Sequence, residues 1–93
     1  MSYCRWSSDN YNCDLYVYEH VGGGFQTHVA GRRYTNGPGS EMTPIGLPHD
    51  GEEFMDADAG ACADRLESLR TMGYVVPQYA IDMLREEAKE AKP

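Results

Sequence analysis

Between Cys13 and Tyr34 the apolar residues keep to one parity. Cys13, Leu15, Val17, Val21, Phe25 and Val29 are odd-numbered, whereas Tyr16, Tyr18, His20, His28 and Arg32 are even-numbered. Successive side chains of a strand point to opposite faces, so this alternation predicts two strands that share one apolar face. Leu15-Tyr16-Val17-Tyr18 is rich in β-branched and aromatic residues, and Gly22-Gly23-Gly24 offers the backbone freedom of a turn. The expected strands span 13–21 and 25–34. A three-residue glycine loop pairing Val21 with Phe25 sets Val17 opposite Val29 and Tyr18 opposite His28, which keeps all six odd apolar residues together. A two-residue loop pairing Val21 with Gly24 would put Val17 opposite His28 and mix the faces. Tyr3, Cys4 and Trp6 are apolar enough to dock as an irregular first strand ahead of the polar, turn-rich stretch that runs to Asn12.

The period changes after residue 57. Ala59, Cys62, Leu66 and Leu69 recur every three or four residues and predict a helix, with Asp58 as its N-cap, Arg70 favourable near its C-terminus and Gly73 as its stop. Pro77 suits the first turn of a second helix whose buried stripe is Ala80, Met83, Leu84 and Ala88, and whose polar end, 86–92, is expected to fray. Between the two halves, residues 35–57 read as a Gly/Pro-rich and then acidic linker, too dense in Gly and Pro for a long helix or central strand, with Ile45 and Leu47 anchoring it to the core. The expected architecture is one α+β domain over 1–93, with strands in 3–34 forming a small antiparallel hairpin or three-stranded sheet against two helices in 58–90.

Composition narrows the class. With 93 residues, 41% hydrophobic and 25% charged, the chain has the make-up of a single small globular domain with a small core. There is no apolar run of about eighteen residues, so no membrane span is expected. The first residues lack the apolar core of a signal peptide, and the three cysteines, Cys4, Cys13 and Cys62, are an odd number. Both features point to a cytoplasmic protein with free thiols.

The net charge is −7. Residues 1–35 carry three acids and three bases, while 36–93 carry twelve acids and five bases, so the second half holds all of it. A field of this sign repels nucleic acid and attracts basic protein surfaces. It also keeps a small protein in solution, which is the plainer reading. Five carboxylates, Asp50, Glu52, Glu53, Asp56 and Asp58, lie within nine residues with no base among them. Asp56 and Asp58 precede a helix, where the dipole favours negative charge. Asp50, Glu52 and Glu53 have no such structural reason and are expected to face solvent. The run lacks the alternating oxygen ligands of an EF-hand.

Tyr16, Tyr18 and His28 form a second candidate contact surface on the even face of the hairpin. A zinc site built from Cys4, Cys13, His20 and His28 would require spacings of nine, seven and eight residues that match no familiar pattern, and Cys13 has the opposite parity from the histidines. No metal or other cofactor is implied. The glycine triplet has no following Lys-Ser/Thr and opens no helix, so it is no P-loop. Cys13 and Cys62 read as core residues, and no local pattern supports a cysteine nucleophile.

Several segments resemble a family of small, uncharacterised proteins encoded by phages and prophages. They are Met1-Ser2-Tyr3-Cys4-Arg5-Trp6-Ser7-Ser8-Asp9, Cys13-Asp14-Leu15-Tyr16-Val17-Tyr18-Glu19, Thr27-His28-Val29-Ala30-Gly31-Arg32-Arg33 and Pro44-Ile45-Gly46-Leu47-Pro48-His49-Asp50-Gly51-Glu52. The pattern Leu66, Leu69-Arg70, Gly73-Tyr74, Val76-Pro77 belongs with them. Members of that family commonly carry a longer segment where 34–43 is short here. The resemblance implies a bacterial host cytoplasm and a non-enzymatic accessory protein. Small acidic phage proteins are often inhibitors of host machinery, anti-CRISPR proteins among them. The partner implied is a host protein with a basic surface, for which a CRISPR effector is one candidate, met by a monomer or weak homo-oligomer. A small zinc module and a structural or oligomerisation module of the phage are the alternatives.

Overall fold

In the computed structural model, which describes residues 2–8, 12–37 and 39–90, the alternating segment is the centre of a four-stranded antiparallel sheet. The strands are β1 (Ser2–Cys4), β2 (Leu15–Glu19), β3 (Phe25–Val29) and β6 (Glu53–Asp56), in the order β1-β2-β3-β6. A separate pair, β4 (Arg32–Tyr34) and β5 (Met42–Pro44), forms a small antiparallel ribbon. Two helices follow, α1 (Ala59–Met72) and α2 (Gln78–Glu90). They pack on each other and on one face of the sheet, α1 against β3 and β6, α2 against β1. The α+β class expected from the sequence is the one observed. Within the turn-rich segment residues 9–11 lie outside the described residues, as do residue 38 of the linker and the end of the expected frayed tail at 91–93.

Parity decides which face is covered. Leu15, Val17, Thr27 and Val29 are buried beneath the helices with Cys4, Cys13 and Phe25. From α1 come Ala59, Cys62, Ala63, Leu66 and Leu69, and from α2 come Ala80, Ile81 and Leu84. The first helical stripe is as read from the sequence. In the second, Ile81 takes the core position expected of Met83, which is 37% exposed. Ile81 lies next to Ala80 and three residues before Leu84, so it completes the inward face while Met83 turns away. Ile45 and Leu47 pack on the core as anchors of the preceding loop.

The hairpin register differs from expectation by two residues. Glu19 pairs with Phe25, Tyr18 with Gln26, Val17 with Thr27, Tyr16 with His28 and Leu15 with Val29. The odd-with-odd rule survives, but the loop is five residues long, 20–24, and Val21 stands fully exposed at its tip. The loop closes on itself: His20 N–H donates to Gly24 O, Gly23 N–H to His20 O, and Gly22 N–H to His20 Nδ1. At Gly24 the backbone angle φ is +84°, and a Cβ there would stand 2.9 Å from Asp56 O of β6. A side chain is excluded by the neighbouring strand as well as by the backbone angle.

The return strand is also shorter than expected. It ends at Val29: Ala30 N–H still continues the ladder by donating to Asp14 O, its partner in register, and the chain then leaves the sheet for β4. The edge of β3 away from β2 is taken by part of the acidic segment, 53–56, which is therefore not a linker. Phe25 pairs with Asp56, Gln26 with Met55, Thr27 with Phe54 and His28 with Glu53. Phe54 turns toward the core, and Glu53 and Met55 point to the open face. Asp58 caps α1 by accepting from Ala61 N–H at 2.8 Å, a contact of about 1 kcal/mol. Gly73 ends it in the left-handed conformation at φ 117°.

Asp14 is a buried charge that ties these pieces together. It is 2% exposed and takes two hydrogen bonds from Arg33, at 2.5 and 3.3 Å, and one from Val75 N–H at 2.7 Å. Replacing Asp14 by Ala should strand the Val75 amide and free Arg33. Because Arg33 is partly exposed, a loss of about 2–3 kcal/mol is expected, read as a lower urea midpoint. The register has its own check. Val21→Ser should change stability by less than about 0.5 kcal/mol, whereas Val17→Ser should cost about 2–3 kcal/mol. Comparable losses would mean that Val21 is core and the loop shorter.

Candidate binding face

The helices cover one side of the sheet and leave the other open. Even positions of β2 and β3 point there, so Tyr16 stands opposite His28 and Tyr18 opposite Gln26. Beside them β6 adds Glu53 and Met55. The turn after β1 brings in Trp6, 38% exposed, edge-on to Tyr16 with ring centroids 6.0 Å apart. Tyr16 meets Tyr18 edge-on at 5.4 Å, and Tyr18 stacks on His28 at 5.6 Å with only 16° between the planes. These four rings line a cavity of about 400 Å³, within the range of small-ligand sites.

Hydrogen bonds fix the ring positions. The Tyr18 hydroxyl donates to Gln26 Oε1 at 3.0 Å and lies 3.1 Å from His28 Nε2. At the other side of the imidazole, Nδ1 lies 3.0 Å from Glu53 Oε1. The imidazole is held at both nitrogens, and Glu53, 61% exposed, keeps its remaining carboxylate surface toward solvent. The Arg5 guanidinium lies over the Tyr16 ring, 5.9 Å from its centroid. The two surfaces expected separately, the Tyr/His patch and the acidic run, therefore meet at one contact, His28–Glu53.

The rest of the acidic run has other work. Asp50 accepts from Gly46 N–H at 2.7 Å, from Leu47 N–H at 3.3 Å and from the Tyr74 hydroxyl at 2.8 Å. The expectation that it faces solvent without a structural role is corrected: it closes the 46–50 loop. Burial raises its pKa, but the bonds from Tyr74, Gly46 and Leu47 and the field of Arg33 outweigh that and lower it. Tyr74 is pushed up to about 12 by burial and by its bond to Asp50, so it remains a donor. Asp56 is not held by the helix dipole as expected. It points inward and forms a two-bond ion pair with Arg65 of α1, at 2.8 and 3.0 Å. Asp58 is the cap already described. Glu52 pairs with His49 at 3.1 Å, away from the aromatic cluster.

The sulfur and imidazole groups do not converge on a metal site. Cys4 and Cys13 are buried on the core face and both donate to Leu15 O, at 3.9 and 3.3 Å. His28 lies on the opposite face, and His20 is turned into the hairpin loop. Among the described residues no three His, Cys, Asp or Glu side chains are grouped to hold a metal ion. All three cysteines are buried, and burial pushes the Cys62 thiol up to about 11, the reverse of an activated nucleophile. Among the described residues no helix is long and apolar enough to cross a membrane.

Compared with protein-family models, with curated proteins and with solved structures, the chain matches none.

Gln26 and Met55 also belong to the open face without a signal of their own among the candidate residues, and Trp6, expected to dock with Tyr3 and Cys4 in a first strand, instead follows that strand and is 38% exposed. Gln26 follows from parity once the hairpin is recognised. Met55 required knowing that the acidic segment is a strand.

The Asp50 contacts carry a pH signature. A carboxyl whose pKa is lowered on folding stabilises the native state above its unfolded value, about pH 4, and that stabilisation is lost as pH falls through the folded value. Asp50→Asn should therefore lower the urea midpoint at pH 7, and the gap from the unmodified protein should narrow at pH 3. A gap independent of pH would show that the ionised carboxylate is not what holds the loop.

Proposed function

We propose that the protein is a non-enzymatic binding module whose open sheet face docks on a basic surface of another protein and blocks it. The observation that carries this reading is the joining of half-buried aromatic rings to an exposed carboxylate through the His28–Glu53 contact. Antiparallel sheets with one free face usually fill it with small or charged polar residues. Here Trp6, Tyr16 and Tyr18 lie together, with Met55 further along the same face on β6, residues of the kind that anchor protein interfaces. The net charge of −7 supplies attraction and orientation toward a basic partner.

The resemblance to phage-encoded proteins supports a partner in an infected bacterium. A host defence or nucleic-acid-handling protein fits, because its basic channel is the surface such a module would occupy. A CRISPR effector is one member of that class, which would make the protein an anti-CRISPR inhibitor.

The candidate contacts narrow accordingly. Tyr16, Tyr18, His28 and Glu53 remain, joined by Trp6, while Asp50, Asp56 and Asp58 are accounted for by the fold and Glu52 lies to one side. Pull-down from bacterial host lysate with mass spectrometry should recover a basic protein, and raised salt should weaken its retention. Glu53→Lys should weaken binding by roughly tenfold at low salt, with a smaller loss for Glu52→Lys. Retention of the same partner by Glu53→Lys with an unchanged salt dependence would remove this face as the contact.

A further inference from the structure

The cavity on the open face has a more specific occupant than a basic surface at large. We infer that the space between Trp6, Tyr16, Tyr18 and His28 receives the guanidinium of an arginine from the partner, with Glu53 as the carboxylate at its edge. This rests on the docking reading above.

Three observations converge. First, the walls are aromatic rings set at an angle to one another, Trp6 to Tyr16 at 64° and Tyr16 to Tyr18 at 88°. Ring faces carry negative electrostatic potential, so a cation between them gains from more than one wall. Second, Glu53 Oε1 is engaged by His28, and the side chain is still 61% exposed, so the carboxylate can accept from an incoming donor. An anionic ligand would be repelled by this carboxylate and by the net charge of −7. An uncharged apolar ligand would leave the carboxylate unused.

Third, the protein contains the same recognition unit elsewhere, filled from within its own chain. Arg65 lies over the Phe54 ring, 4.3 Å from its centroid, while giving two hydrogen bonds to Asp56. Phe54 and Asp56 are on the inward side of β6 and Glu53 is on its outward side. On the open face the Glu53 carboxylate is joined to His28, whose ring is one wall of the cavity. Tyr16 already tolerates a guanidinium, since Arg5 lies over it, tethered by donating to Ser2 Oγ at 3.2 Å. A planar guanidinium can lie on a ring and bond a carboxylate together, whereas a lysine ammonium is a compact, strongly hydrated point charge. The cavity should therefore prefer arginine over lysine at equal charge.

Trp6 is the only tryptophan of the chain, so its fluorescence reports directly on the cavity. The test uses three short peptides of one sequence, bearing arginine, lysine or uncharged citrulline at the same positions. The full-length protein should bind the arginine peptide about tenfold more tightly than the lysine peptide, with a saturable change in Trp6 fluorescence and little response to citrulline. Tyr18→Leu should bring the arginine affinity down to the lysine level. Should that variant fail to fold, ring-proton shifts of Tyr16, Tyr18 and His28 in the unmodified protein give the same answer, moving with arginine and not with lysine. Equal, salt-sensitive binding of the two basic peptides with silent Trp6 would overturn the cavity assignment and leave the docking reading standing. No salt-sensitive binding of either basic peptide would overturn both.

Discussion

The buried carboxylate of Asp14 is the point on which the rest of the structure depends. Its side chain takes hydrogen bonds from Arg33 beside the sheet and from Val75 N–H between the helices. Its backbone completes the junction: Asp14 N–H donates to Val75 O, and Ala30 N–H donates to Asp14 O. One residue thus ties the start of β2 to Arg33 of β4 and to the connector between α1 and α2. A charge is costly to bury without partners, so the junction holds only when all three donors arrive together. Small cores have little apolar area with which to specify a unique arrangement, and a polar junction of this kind fixes connections that hydrophobic contact alone would leave loose.

The acidic strand answers to the other edge of β3. β2 pairs with one edge of that strand, and 53–56 fills the other. The chain comes back to the edge through a loop closed by Asp50 and Tyr74, and Val29 exchanges backbone hydrogen bonds with Glu52 and Gly51. Strand pairing then sorts the carboxylates by direction. Asp56 is turned inward to Arg65 and Glu53 outward to His28, so residues close in sequence do unrelated jobs.

The features legible in the sequence were those set by local chemistry. Parity in 13–29 depends only on the alternation of a strand, and it identified Leu15, Val17, Phe25 and Val29 as core and Tyr16, Tyr18 and His28 as a shared outer face. The cap at Asp58 and the stop at Gly73 are local in the same way. Features set by distant partners were not legible. The loop length depends on Gly24 lying against Asp56, and the role of Asp50 depends on Tyr74, 24 residues away. The sequence 53–56 has too few apolar residues to read as a strand, and became one because β3 offered an edge. In the site, the Tyr/His cluster was visible from parity, whereas its junction with Glu53 required that unforeseen pairing.

The sheet separates two demands by a single step along the chain. Odd positions of β2 and β3, the exposed strand end Glu19 apart, answer to the helices beneath, and even positions answer to whatever meets the open face. Drift in the two sets is thereby uncoupled to a large degree. A lineage could exchange Tyr16, Gln26 or His28 for other residues and acquire a different partner while Leu15, Thr27 and Val29 hold the fold unchanged. A comprehensive substitution map of these nine positions would then show stripes of period two, with loss of folding on one set and loss of recognition on the other.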